Sequence, residues 1–121
     1  MSIGFDIQDL SGVTVLRVAG FVDAHTAPDF ERQLVRLIES GRTRVVLDLA
    51  GLEYMSSAGL GVFMAVVEDL RGNGGDLRVA SLRENVRSVY ELLGFHTVFM
   101  TFEGVDEAVR SYSGGDGTLQ S

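Results

Sequence analysis

The sequence predicts a single α/β domain built on a mixed, mostly parallel sheet of about five strands. Three observations carry that expectation. The chain has 121 residues, the size of one domain, enough to bury a core without disulfide or metal staples. Short β-branched runs alternate with longer stretches whose apolar residues recur every three to four positions. In order, the elements read β-β-α-β-α-β-α-β-α: one hairpin, then alternation. A strand–helix–strand unit requires parallel strands.

The first strand is residues 3–9, where Ile3, Phe5 and Ile7 alternate with other residues to make one apolar face. Leu10-Ser11-Gly12 is a turn, and residues 13–19 return as the second strand of a hairpin. Residues 20–25 are a loop. Thr26 suits an N-cap, with Pro28 and Asp29 in the first helical turn, where a missing N–H is harmless and a carboxylate favours the dipole. Phe30, Leu34, Leu37 and Ile38 form one apolar stripe, and Gly41 closes that helix. The third strand, residues 44–50, has a nearly continuous apolar core, as a central strand would. Residues 51–56 are a connection. The second helix, about Ala58 to Arg71, is apolar nearly all round, and Gly72-Asn73-Gly74-Gly75 stops it. Residues 77–80 are the fourth strand. Ser81 and Glu84 form an S-x-x-E capping box for a third helix, which Gly94 ends. Residues 97–102 are a short fifth strand and Val105 to Tyr112 a short last helix. The domain is therefore expected over 1–112, with 113–121 a flexible C-terminal tail. Strands two and three run the same way, so loops 20–25 and 51–56 open at one end of the sheet. That end is where α/β folds usually place function.

Composition narrows the function. With no cysteine, a disulfide framework, a cysteine nucleophile and thiolate metal sites are excluded, and a reducing cytoplasm fits. Ten basic residues, all arginine, face seventeen acidic ones, for a net charge of −7. That balance argues against nucleic acid and against an anionic membrane surface as partners. No apolar run reaches the ~18 residues of a membrane span, and residues 1–9 do not read as a signal peptide. His25 and His96 lie in different loops without metal-ligand spacing, so neither a metal nor a cofactor is expected. Gly59-Leu60-Gly61 lacks the third glycine of a dinucleotide loop, Met64 standing in its place, and no phosphate-binding P-loop is present.

Ser56 and Ser57 fall at a strand-to-helix turn, with Ala58, Gly59 and Gly61 directly after them. Ser57 is expected at the N-cap, where a phosphate would meet unpaired N–H groups and the positive end of the dipole. The small residues would let another protein approach closely. The plain alternative is a structural cap followed by glycines that allow helix–sheet packing. Asp23 has an equally plain alternative, an Asx-type turn before the first helix. The enzyme alternative is a Ser-His-Asp hydrolase in which His25, beside Asp23, serves Ser57 as base. The lack of a G-x-S-x-G elbow disfavours it.

Leu47-Asp48-Leu49, Tyr54-Met55 and then Ser56-Ser57-Ala58-Gly59-Leu60-Gly61 resemble the phosphorylation loop of the STAS family, the antagonists of bacterial anti-sigma factors. The family pattern is a buried strand ending in D-L, a short connection, then roughly [DS]-S-[STA]-G-L-G. Residues 20–27, GFVDAHTA, are similar to the family's G-x-[LV]-D-x-x-[TN]-A, and Leu92-Leu93-Gly94-Phe95 to its L-x-G-[FL]. The resemblance spans residues 3–112 and implies a regulator rather than an enzyme. In such a system the partner is both an anti-sigma factor and an ATP-dependent serine kinase. The unphosphorylated antagonist binds it and frees the sigma factor; phosphorylation of the loop serine ends binding, and a phosphatase reverses the mark. Carried onto this chain, the resemblance makes Ser57 the phosphoacceptor, with Ser56 as the alternative. It places Asp23, Ser56, Ser57, Gly59, Leu60 and Gly61 on the partner-binding face. Ser56 stands where many members have Asp, and Ala58 where many have a second hydroxyl. Phe21 stands where members often have an acidic residue, which points to a more apolar contact. Some STAS domains are scaffolds that are never phosphorylated, and that is the nearest alternative reading.

Overall fold

A computed structural model describes residues 2–117. Strands β1 (Ile3–Leu10) and β2 (Val13–Val22) form the expected hairpin. Its two-residue turn places Ser11 at φ 54° and Gly12 at φ 80°, the left-handed pair that a type I′ turn requires. On its other side β2 pairs in parallel with two short strands lying in one lane. β3 (Arg44–Asp48) runs along Thr14–Arg17, and β4 (Leu52–Met55) runs along Gly20–Val22. β5 (Asp76–Ala80) and β6 (Thr101–Phe102) complete a six-stranded sheet in the order β1-β2-β3-β5-β6, with β4 beside β2.

Helices α1 (Ala27–Glu39), α2 (Ser57–Gly72) and α3 (Glu84–Leu92) pack on one face of the sheet. Their core joins Phe30, Leu34, Phe63, Val66 and Tyr90 to Leu16, Val18, Leu47, Leu77 and Val79 of the strands. Phe63 lies edge-on to Phe30, Tyr90, Phe95 and Phe99. Helix α4 (Val105–Gly117) covers the opposite face, setting Ala108 and Tyr112 on Val13, Val15, Val46 and Ala80. The Tyr112 hydroxyl donates toward two strand carbonyls, Val45 and Asp76, each at 2.8 Å.

The structure departs from the expected elements at several points, and β2 runs on to Val22, three residues into the expected 20–25 loop, because it pairs there with β4. The 51–56 connection contains β4, which makes six strands rather than five. In Leu52-Glu53-Tyr54-Met55 the buried residues are the first and the last, so the segment lacks the period-two alternation of a half-buried strand. The expected fifth strand shrinks to Thr101–Phe102, because Phe95–Thr97 form a 3₁₀ turn and Phe99 buries itself in the aromatic cluster. The Ser81 capping box does not form. Ser81 sits at φ 65°, its N–H extends the ladder to the Phe102 carbonyl, and Arg83 takes the N-cap position. Finally, α4 continues past Tyr112 to Gly117; of the expected tail, residues 118–121 lie outside the described residues.

Candidate functional site

β2 and β4 end side by side, with Val22 in register with Met55. The Ser56 N–H then donates to the Val22 carbonyl at 2.9 Å. The loops after the two strands therefore meet at one end of the sheet, as element order predicted, but through direct pairing of β2 with β4 rather than through β3.

The two serines have different places. Ser56, not Ser57, is the N-cap: at φ −86° and ψ 173° its carbonyl accepts the Gly59 and Leu60 N–H groups. Ser57 is the first helical residue and is exposed. The Ser56 Oγ is buried and has no hydrogen-bond partner. It makes no side-chain cap, and among the described residues no hydrogen bond engages the N–H of Ser57 or Ala58. One serine hydroxyl thus faces solvent above unpaired N–H donors, while its neighbour is closed off.

Gly59 sets how closely α2 approaches the sheet. A Cβ there would lie 2.5 Å from Val22 Cγ1 and 2.9 Å from Met55 Cγ, so only glycine seats the helix start on β2 and β4. Gly59 and Leu60 are buried and face the sheet. Of the expected partner contacts, these two hold the helix and present no surface. Gly61 is exposed, with open space around it. With Ser57, Ala58, Met64 and Ala65 it makes an uncharged outer face on the first half of α2.

Asp23 closes the turn between β2 and α1. Its Oδ1 accepts the His25 N–H at 2.9 Å and the Thr26 N–H at 3.1 Å. The Thr26 N–H, followed by the other donors, holds the carboxyl below its ordinary pKa of 3.8. Asp23 is thus a charged group in a backbone-bonded turn. No hydrogen bond joins His25 to either serine among the described residues. Thr26 is the N-cap of α1, as expected, but its hydroxyl does not cap the helix.

Sequence reasoning gave no role to Tyr54. The Tyr54 ring, about half exposed, lies 6.1 Å from the Phe21 ring, and the pair stands one residue before Val22 and Met55, where β2 and β4 end. Its signal was present, an aromatic residue two positions before the serines, but it read as part of a connection. A cleft of about 350 Å³ at the other end of the sheet is lined by Asp9, Gly12, Thr14, Arg42 and Arg44 and is remote from these residues.

The STAS domain family model matches residues 5–108. The chain belongs to the STAS domain family. BtrV of Bordetella bronchiseptica, provisionally named an anti-sigma factor antagonist, is 34% identical over 106 residues, covering 88% of this STAS chain and 91% of its own. An anti-sigma factor antagonist from Mycobacterium paratuberculosis has a crystal structure similar at a TM-score of 0.84 and 28% identity, over 91% of this chain and 93% of its own. The anti-sigma factor antagonist SpoIIAA shares the fold in its unphosphorylated form, with a TM-score of 0.79, 21% identity, and 92% and 97% of the two chains covered. Its phosphorylated form shares the fold at a TM-score of 0.70 and 20% identity, over 90% and 99% of the chains.

Proposed function

We propose that this STAS domain is a cytoplasmic anti-sigma factor antagonist switched by phosphorylation of Ser57. Unphosphorylated, it binds an anti-sigma factor that carries serine kinase activity. That partner brings the ATP and phosphorylates Ser57, and a phosphatase restores the binding form. The observation that carries this reading is the contrast between the two serines. Ser57 Oγ belongs to an exposed residue at the start of α2, whereas Ser56 Oγ is buried. A kinase needs an accessible hydroxyl and a backbone it can approach, and Ala58 and Gly61 leave the adjoining surface low.

The partner-binding face in this reading comprises Asp23, Ser57, Ala58, Gly61 and Met64, with Phe21 and Tyr54 at its margin. Gly59 and Leu60 support it from beneath. Its uncharged centre suits tight docking on an unmodified serine. A phosphate adds about −1.5 to −2 charge there. Burying that charge without a cationic partner costs several kcal/mol, enough to end the complex. The role is binding rather than catalysis. Asp23 uses its carboxylate to hold backbone N–H groups, and a base for Ser57 is better supplied by the kinase. Nucleic acid is not among the partners, in keeping with a charge of −7. Insertion into a membrane is not part of the role, and no described helix is long and apolar enough to cross one.

The test is incubation with a candidate anti-sigma factor kinase and ATP, followed by peptide mass analysis. One phosphate on Ser57, and no ATP hydrolysis by the antagonist alone, supports the reading. Phosphate on Ser56 overturns the site, and absence of phosphorylation by any anti-sigma factor kinase favours the scaffold alternative.

A further inference from the structure

We propose that Thr26 is a positioning residue of this surface: its buried hydroxyl clamps the Phe21–Val22–Asp23 segment, and so fixes the Asp23 carboxylate in the turn between β2 and α1. Thr26 is one of the buried polar residues of the described chain, 8% exposed. Its side chain turns away from the helix it precedes. The Thr26 hydroxyl accepts the Asp23 N–H at 2.9 Å and donates to the Phe21 carbonyl at 2.8 Å. Asp23 Oδ1, at 3.3 Å, is a second and longer acceptor for the same proton. One hydroxyl therefore bonds to both ends of a three-residue segment. The Asp23 carbonyl also accepts the Ala27 N–H at 2.8 Å, which closes the turn on its far side.

The segment so held is the one that carries α2. Between the two clamped residues lies Val22, whose carbonyl receives the Ser56 N–H and whose side chain sits where a Gly59 Cβ would be. Phe21, at the other end of the clamp, places its ring against Tyr54. A shift of the segment would move the N-cap of α2, the aromatic pair and the carboxylate together. The hydroxyl is the part of Thr26 that does this work, because the same backbone N–H could be offered to Asp23 by any residue.

The test compares Thr26→Val, which keeps the shape and removes the hydroxyl, with Thr26→Ser, which keeps the hydroxyl. Three quantities are read: the Asp23 carboxyl pKa by carbon NMR, amide exchange at Ser56, and the rate of Ser57 phosphorylation by a kinase that modifies the parent. His25 is the neighbouring titratable side chain that acts on Asp23, so the titration is repeated in His25→Gln to separate its influence from the clamp. In Thr26→Val the Asp23 pKa rises toward the ordinary 3.8, because the donors drift from the carboxylate. Ser56 exchange accelerates about tenfold or more, as expected for loosening one buried hydrogen bond. Phosphorylation slows by about tenfold or more, as misplaced contacts do. Thr26→Ser restores all three. An unchanged Asp23 pKa and unchanged Ser56 exchange in a folded Thr26→Val protein overturn the proposal, as does failure of folded Thr26→Ser to restore them. The phosphorylation arm rests on the proposed switch. If the parent itself is never phosphorylated the switch fails, while the pKa and exchange arms still decide the role of Thr26.

Discussion

A buried hydroxyl without a partner lowers stability, because water is lost and nothing replaces it. Ser56 Oγ is such a group. Ser56→Ala is expected to be neutral or to stabilise by up to about 1–2 kcal/mol, read as a higher denaturant midpoint with an unchanged slope. It should leave Ser57 phosphorylation intact. A clear loss of stability would mean that the hydroxyl caps α2 in solution. At Ser57 the expectation is opposite in kind. Ser57→Ala should keep partner affinity and lose the switch, whereas Ser57→Asp should weaken binding strongly by placing a carboxylate in the interface. Equal affinities for the two variants would refute a charge-driven release. The sequence located this pair of serines but misplaced the cap by one residue. Two adjacent serines satisfy the same capping preference. The choice between them is made by packing, since Gly59 must fall over Val22, and that fixes where the first turn begins.

The glycines of α2 test how that helix is seated. Gly59→Ala puts a Cβ inside the contact distance of Val22 and Met55. Overpacking of that kind costs about 1–3 kcal/mol, against a gain of about 1 kcal/mol in helix propensity. Gly61→Ala meets open space and should stabilise by about 0.5–1 kcal/mol. Thermal melts of the two variants should move in opposite directions, and a stabilised Gly59→Ala would contradict the close seating of α2. On the other face, α4 is held through Tyr112. Burial raises the phenol above its ordinary pKa of 10.0. A raised pKa means that the protonated phenol's stabilisation is whole below about pH 10 and is lost as the pH climbs beyond it. Tyr112→Phe should cost about 1–3 kcal/mol at neutral pH and then show a shallower alkaline loss than the parent. Equal alkaline slopes would show that folding leaves the Tyr112 pKa where it stands in the unfolded chain. Elements with a local signature were legible, as with the glycine after α1. Gly41 at φ 83° ends the helix, and the Arg42 N–H returns to the Leu37 carbonyl. Elements set by distant contacts were not. Ser81 was drawn into the sheet ladder instead of the cap, and Phe99 into the aromatic cluster instead of a strand.

Across the whole molecule, phosphorylation is expected to change the surface and spare the fold. A phosphate on Ser57 would lie at the N-terminus of α2, where the dipole and unpaired N–H groups favour an anion by ~0.3–1 kcal/mol. The burial of Leu60, Phe63, Val66, Val67 and Leu70 holds that helix with many times that energy. Repulsion from a net charge of −7 is spread over the surface and screened beyond ~8–10 Å. Melting of the two forms should agree within a few degrees, and amide-shift changes should centre on residues 54–62, with smaller effects at Asp23. Shifts throughout all four helices would make the switch a refolding event. In the proposed switch the charge on Ser57 alone decides whether the partner is held. The most direct measurement is titration calorimetry of the anti-sigma factor kinase with the unphosphorylated protein and with protein phosphorylated only at Ser57. The unphosphorylated form should bind, and the phosphorylated form should bind at least about a hundredfold more weakly, the equivalent of about 2.7 kcal/mol. Equal affinity of the two forms would contradict a switch driven by that charge.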